Sequence, residues 1–175
     1  MKSIFLMLCL IWLWLSAAVG RVHAEALPEY TVKAAYLYNF ALLTEWPPKE
    51  SSNVINMCLY RNHDFGATIE KLRSKNVNNR AIQVIYIAEP EEARQCHMLV
   101  ISALERYPMR QLMEAITDLP ILTITDNAQL AESDMMIRIL TENQHMIFQV
   151  NLGLAKRANI NLSSRLLRVA NKVIL

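Results

Sequence analysis

Cys58, Cys96, His97 and the cations Arg165, Arg168 and Lys172 are the side chains whose types could do more than pack. Two cysteines can pair in only one way, and outside the reducing cytosol pairing is favoured. Their bond would close a loop of about 39 residues and contribute on the order of 4 kcal/mol in the chain-entropy account. The alternative is two buried thiols that never meet. None of His63, His97 and His145 stands at metal-ligand spacing from another His or Cys. Cys96 and His97 are adjacent, so on a strand they would face opposite sides. Beyond residue 24 the only glycines are Gly66 and Gly153, too few for a phosphate-cradling loop, and no G-x-S-x-G elbow occurs. Ser163 reads as a helix cap and not a nucleophile. Glu91-Glu92, after Pro90, reads as part of a solvated loop. The expectation is a chain without catalytic residues, metal or cofactor, and not an enzyme.

What remains is recognition chemistry. Trp46, beside Pro47-Pro48, either anchors a partner or ligand or plugs the end of the core. Arg165, Arg168 and Lys172 recur at helical spacing. Such a stripe is either a solvated face near a helix C-terminus, where cations are favourable, or a dock for an acidic partner or a small carboxylate. Upstream, Val32, Ala35, Tyr36, Asn39, Phe40 and Leu43 follow the i, i+3, i+4, i+7 pattern. Ala34, Leu37, Tyr38, Ala41 and Leu42 form a second stripe. A helix apolar on two sides must be covered on two sides, once by a sheet and once by another helix, a second subunit or a partner. Tyr38 and Leu42, with Trp46, Arg165 and Arg168, are therefore the expected dimer or partner contacts.

The compartment is read from the first residues. Lys2, the uncharged run Ile4–Leu15 and the small-residue stretch ending at Ala24 have the layout of a secretory signal peptide. The run is 12 residues long, short of the ~20 that span a bilayer. Cleavage is expected near Ala24. Cys9 follows the bulky Leu8, so no lipid anchor is expected. Without residues 1–24 the chain has 151 residues, read as one domain over 25–175. Loss of Lys2 and Arg21 reduces 18 basic residues to 16, against 16 acidic ones. That balance gives no footprint for nucleic acid or anionic lipid.

Periodicity predicts a helix over 28–44, ended by Trp46-Pro47-Pro48, a strand over 54–60, and a helix capped by Asp64. A turn follows at 76–79, then strands at 81–87 and 98–101, a helix opening near Pro108, and a strand at 121–125. The runs 135–141 and 146–151, around a short polar gap, read as an antiparallel hairpin. A short helix at 152–158 precedes a last helix from Ser163, with Leu166, Leu167, Ala170, Val173 and Ile174 on its apolar side. The alternation predicts an α/β single domain: a mixed β-sheet of about five or six strands flanked by helices, with a C-terminal antiparallel hairpin and helix.

The run Val32-Lys-Ala-Ala-Tyr-Leu-Tyr-Asn-Phe-Ala-Leu-Leu-Thr-Glu-Trp-Pro47 resembles the opening signature of YfiR-like periplasmic proteins. Cys58, Arg80, Cys96-His97, the run 146–151 and the run from Ser163 to Ala170 continue the likeness in order, over nearly all of residues 25–175. The resemblance implies a dimeric periplasmic repressor that binds the periplasmic part of a membrane-bound diguanylate cyclase and keeps cyclic di-GMP low, with biofilm formation downstream. It also implies an outer-membrane lipoprotein that sequesters the repressor, and sensitivity to redox stress. Cys58 and Cys96 match the family's first cysteine pair. The second pair of some relatives is missing here, which puts redox control through it in doubt. The resemblance carries no catalytic residues. The alternative reading is a periplasmic small-ligand-binding sensor module without enzymatic activity, which a pocket lined by Trp46 or the C-terminal arginines would favour.

Overall fold

Ala34, Leu37, Phe40 and Ala41 recur along one side of the first helix, α1 (Glu29–Leu42), and this side is buried on a β-sheet. The computed structural model describes residues 29–48, 53–61, 66–102, 106–131 and 133–175. The expected signal peptide and the expected cap Asp64 lie outside the described residues. Among these, the chain continues through β1 (Thr44–Glu45), β2 (Val54–Tyr60), α2 (Gly66–Glu70), β3 (Asn76–Val77), β4 (Arg80–Ile87) and β5 (Met98–Ile101). It then forms α3 (Arg106–Ala115), β6 (Leu122–Thr125), β7 (Ile137–Glu142), β8 (His145–Asn151), α4 (Leu152–Arg157), β9 (Asn161–Leu162), α5 (Ser164–Val169) and β10 (Lys172–Ile174).

The main sheet has the order β10-β8-β7-β6-β5-β2-β4-β3. β4, β2, β5, β6 and β7 run parallel, while β3 and β8 are antiparallel to their neighbours β4 and β7. The architecture is the expected α/β domain with a mixed sheet. It holds eight strands rather than five or six, because two short segments, β3 and β10, join its edges.

Strand alternation divides the core into two layers. Ile55, Met57 and Leu59 of β2 face the α1 side, while Cys58 and Tyr60 face the α3 side with Met109, Leu112 and Ile116. Four consecutive buried residues in each of β5 and β6 reflect cover on both faces. Tyr36 of α1 donates its hydroxyl to the Met146 carbonyl on β8 at 2.9 Å, and Tyr38 donates to the Asn76 carbonyl on β3 at 3.1 Å. The two tyrosines tie the helix to opposite ends of the sheet. Lys33, buried near the start of α1, pairs with Asp126 just beyond β6 at 2.7 Å and with Glu29 at 2.6 Å. Burial alone would lower its pKa, but these two carboxylates outweigh it and hold the ammonium above its ordinary 10.5.

Two hairpins depend on residues at positive φ. Asn78 and Asn79 lie at 50° and 66°, Asn143 and Gln144 at 49° and 64°, which matches the twist of two-residue hairpin turns. The expected turn at 76–79 therefore contributes a short strand as well. The expected last helix is corrected: it stops at Val169, and Ala170 is extended. Asn171 donates its backbone N–H to the Phe148 carbonyl, and β10 then pairs in parallel with β8. An open sheet edge offers unpaired backbone groups, and the β-branched Val173 and Ile174 suit a strand better than a helix.

Candidate partner-binding surface

The Thr44 hydroxyl donates to the Phe40 carbonyl at 2.7 Å as the chain leaves α1. The next residues form a small ribbon: Thr44 pairs with Leu162 and Glu45 with Asn161. The Asn161 side-chain amide donates to the Glu45 carboxylate at 2.9 Å, and the Ser163 N–H donates to the Leu43 carbonyl at 2.9 Å. Ser163 then caps α5, its hydroxyl oxygen accepting from the Leu166 N–H. The ribbon thus joins the end of α1, with Leu42, to the start of α5, with Arg165 and Arg168.

Leu166 anchors α5 in the core, so Arg165 and Arg168 are exposed. Neither makes an ion pair among the described residues. Val169 is 69 % exposed, Leu175 92 % and Leu42 39 %. Lys172, expected on the same helical stripe, lies on β10 instead, and its side chain is exposed. Exposed cations and exposed apolar residues thus alternate along the C-terminal segment, from Arg165 to Leu175. Tyr38 is half-buried and tied to Asn76, so it braces α1 across the sheet.

Trp46 is half-buried, and its indole N–H donates to the His97 carbonyl at 3.0 Å. The ring stands edge-on to the His97 imidazole, with centroids 6.1 Å apart. That geometry favours the plug over the ligand anchor. The His97 carbonyl also accepts from the Leu122 N–H. Its Nδ1 accepts from the Asn56 N–H at 3.1 Å, and its Nε2 lies 2.8 Å from Nη2 of Arg80. Arg80 also donates to the Val54 carbonyl at 2.8 Å. Burial pushes the Arg80 guanidinium down from its ordinary value, though an arginine stays charged. Cys96, the residue before His97, points into the opposite layer and forms a disulfide with Cys58, Cα to Cα 5.8 Å. Sequence reasoning set His97 aside for want of ligand spacing. The available signal was its position at the start of a strand, alongside Arg80 and Trp46, among the residues that carry the family likeness.

No three His, Cys, Asp or Glu side chains among the described residues are placed to hold a metal ion. Glu92, expected in a solvated loop, belongs to a 3₁₀ turn, Pro90–Gln95. The Glu89 and Ala88 N–H groups bond its carboxylate and hold it below its ordinary range. A cavity of about 370 Å³ lies between α3 and α4. Ile116, Leu119, Ile121, Met136 and Leu154 line it, with Arg110, Asp118, Asp134 and Arg157 around them. Trp46, Arg165 and Arg168 do not line this cavity. No helix among the described residues is long and apolar enough to cross a membrane.

A comparison with curated proteins returned no match. Among solved structures, the ABC domain in complex with L-Trp from Streptococcus pneumonia is similar to this chain at 9 % identity and a TM-score of 0.47. The alignment covers 71 % of this chain and 56 % of that one, an overlap too loose to establish a shared fold. The profile of the YfiR/HmsC-like proteins matches residues 30–171, from the second residue of α1 to the residue before β10. The chain belongs to the YfiR/HmsC-like family.

Proposed function

We propose that this chain is an exported regulatory protein of the periplasm, cut near Ala24, that binds the periplasmic domain of a membrane-bound diguanylate cyclase and represses it. Family membership over residues 30–171 supports the class. The observation that supports the mode of action is the exposure of Arg165, Arg168, Val169, Lys172 and Leu175, with the start of α5 tied through the β1–β9 ribbon to the end of α1 at Leu42. Apolar anchors within a cationic rim suit an acidic partner surface: burial supplies affinity and charge supplies orientation and encounter rate. Repression requires tighter binding to the inactive state of the cyclase than to the active one. A tenfold difference, about 1.4 kcal/mol, already shifts the balance. A homodimer and an outer-membrane lipoprotein that withdraws the repressor complete the reading.

Deleting the gene is expected to raise cellular cyclic di-GMP, and the wild-type chain to lower it again. The Arg165→Glu/Arg168→Glu variant, exported to the same level, leaves it high. Unchanged cyclic di-GMP on deletion, or full repression by the variant, would count against the proposal.

A further inference from the structure

Burial sorts the lining of the cavity between α3 and α4 into two parts. Ile116, Ile121, Thr123 and Met136 are buried and form its inner wall. Arg110, Glu114, Asp118, Asp134 and Arg157 are exposed and stand at its mouth. The wall is apolar but for Thr123. That hydroxyl accepts from the Met136 N–H at 3.1 Å and donates to no group among the described residues. A buried donor is therefore left over for an incoming oxygen. The mouth holds three carboxylates against two guanidiniums, one negative charge in excess. Arg110 pairs with Glu114. Asp118, Asp134 and Arg157 make no ion pair among the described residues. At about 370 Å³ the cavity lies at the small end of ligand pockets, which suits a small molecule and not a peptide segment.

We propose that this cavity binds a small amphipathic amine, its apolar, oxygen-bearing body inside and its ammonium held by Asp118 and Asp134 at the mouth. The apolar wall supplies burial, and the carboxylates supply charge-assisted hydrogen bonds. Two carboxylates exceed what Arg157 alone neutralises, so an anion of the same shape meets net repulsion. The site goes beyond the proposed function and needs no cyclase.

The test is isothermal titration calorimetry of the exported chain with two probes. Tyramine carries a phenol and an amine; 3-(4-hydroxyphenyl)propionate keeps the phenol and replaces the amine by a carboxylate. Saturable tyramine binding at about 1 mM or tighter is expected, with the propionate at least tenfold weaker. Asp118→Asn/Asp134→Asn weakens tyramine at least tenfold. Both positions are exposed, and asparagine suits the φ of 63° at Asp118, so the fold is kept. Arg165→Glu/Arg168→Glu, away from the cavity, leaves tyramine binding unchanged. No saturable tyramine binding up to about 10 mM, equal affinity for the propionate, or undiminished affinity in Asp118→Asn/Asp134→Asn would each overturn the site. If far-UV circular dichroism shows that this variant does not fold, the comparison of the two probes decides. A chain that binds tyramine in this pattern but no cyclase domain would support the site and count against the proposed function.

Discussion

Replacing both Cys58 and Cys96 by alanine is expected to destabilise this protein by about 4 kcal/mol. The bond closes a chain separation of 38 residues, and opening it returns that conformational freedom to the unfolded state. The native state should change little, because both side chains are buried in a layer packed by Leu99, Leu112 and Ile116. Urea unfolding would measure the loss. In a domain of this size, with roughly 2–4 °C per kcal/mol, the melting point should fall by about 8–16 °C. A loss below about 1 kcal/mol would show that the unfolded chain gains almost no freedom when the loop opens.

Phe40→Ala is expected to cost about 3–5 kcal/mol. Phe40 is fully buried, and its ring lies 5.0 Å from Phe148 and 5.7 Å from Tyr36, centroid to centroid. The first contact is edge-to-face, and Tyr36 meets Phe148 in the same way at 5.6 Å. Such aromatic pairs add to the burial term. Truncation opens a hole beneath α1, at the joint between the helix and the β7–β8 hairpin. Leu42→Ala, two residues along, should stay within about 0.5 kcal/mol, as exposed positions usually do. Urea unfolding of the two variants should separate them clearly. Equal losses would mean that α1 is not held by the Phe40 side.

Much of this fold can be read locally. β2 and β5 match the expected strands end to end, because short, largely apolar runs of their length, broken in β2 only by Asn56, suit a sheet covered on both faces. The β7–β8 hairpin follows from its short polar gap. The cysteines that could only pair with each other do pair, since β2 and β5 are neighbours and Cys58 lies opposite Leu99. Other features depend on contacts far apart in the chain. The β1–β9 ribbon joins Thr44 to Leu162, and two residues on each side carry no periodicity. In the sequence, Leu166, Leu167, Ala170, Val173 and Ile174 fit a helical period, which predicts helix through the residues of β10. The free edge of β8, invisible in the sequence, takes up the last two of them. The roles of Arg80 and His97 arise from the order β5-β2-β4, which places both chain segments beside Asn56.

The central claim is that the molecule acts by binding through its C-terminal cationic and apolar surface. The most direct test is a titration of the purified, exported chain against the isolated periplasmic domain of a membrane diguanylate cyclase from the same cell. The expected result is saturable binding, roughly micromolar or tighter, that weakens as salt is raised. Arg165→Glu/Arg168→Glu should lower the affinity at least tenfold, about 1.4 kcal/mol. Absence of saturable binding, or equal affinity for the wild type and the charge-reversed variant, would contradict the claim.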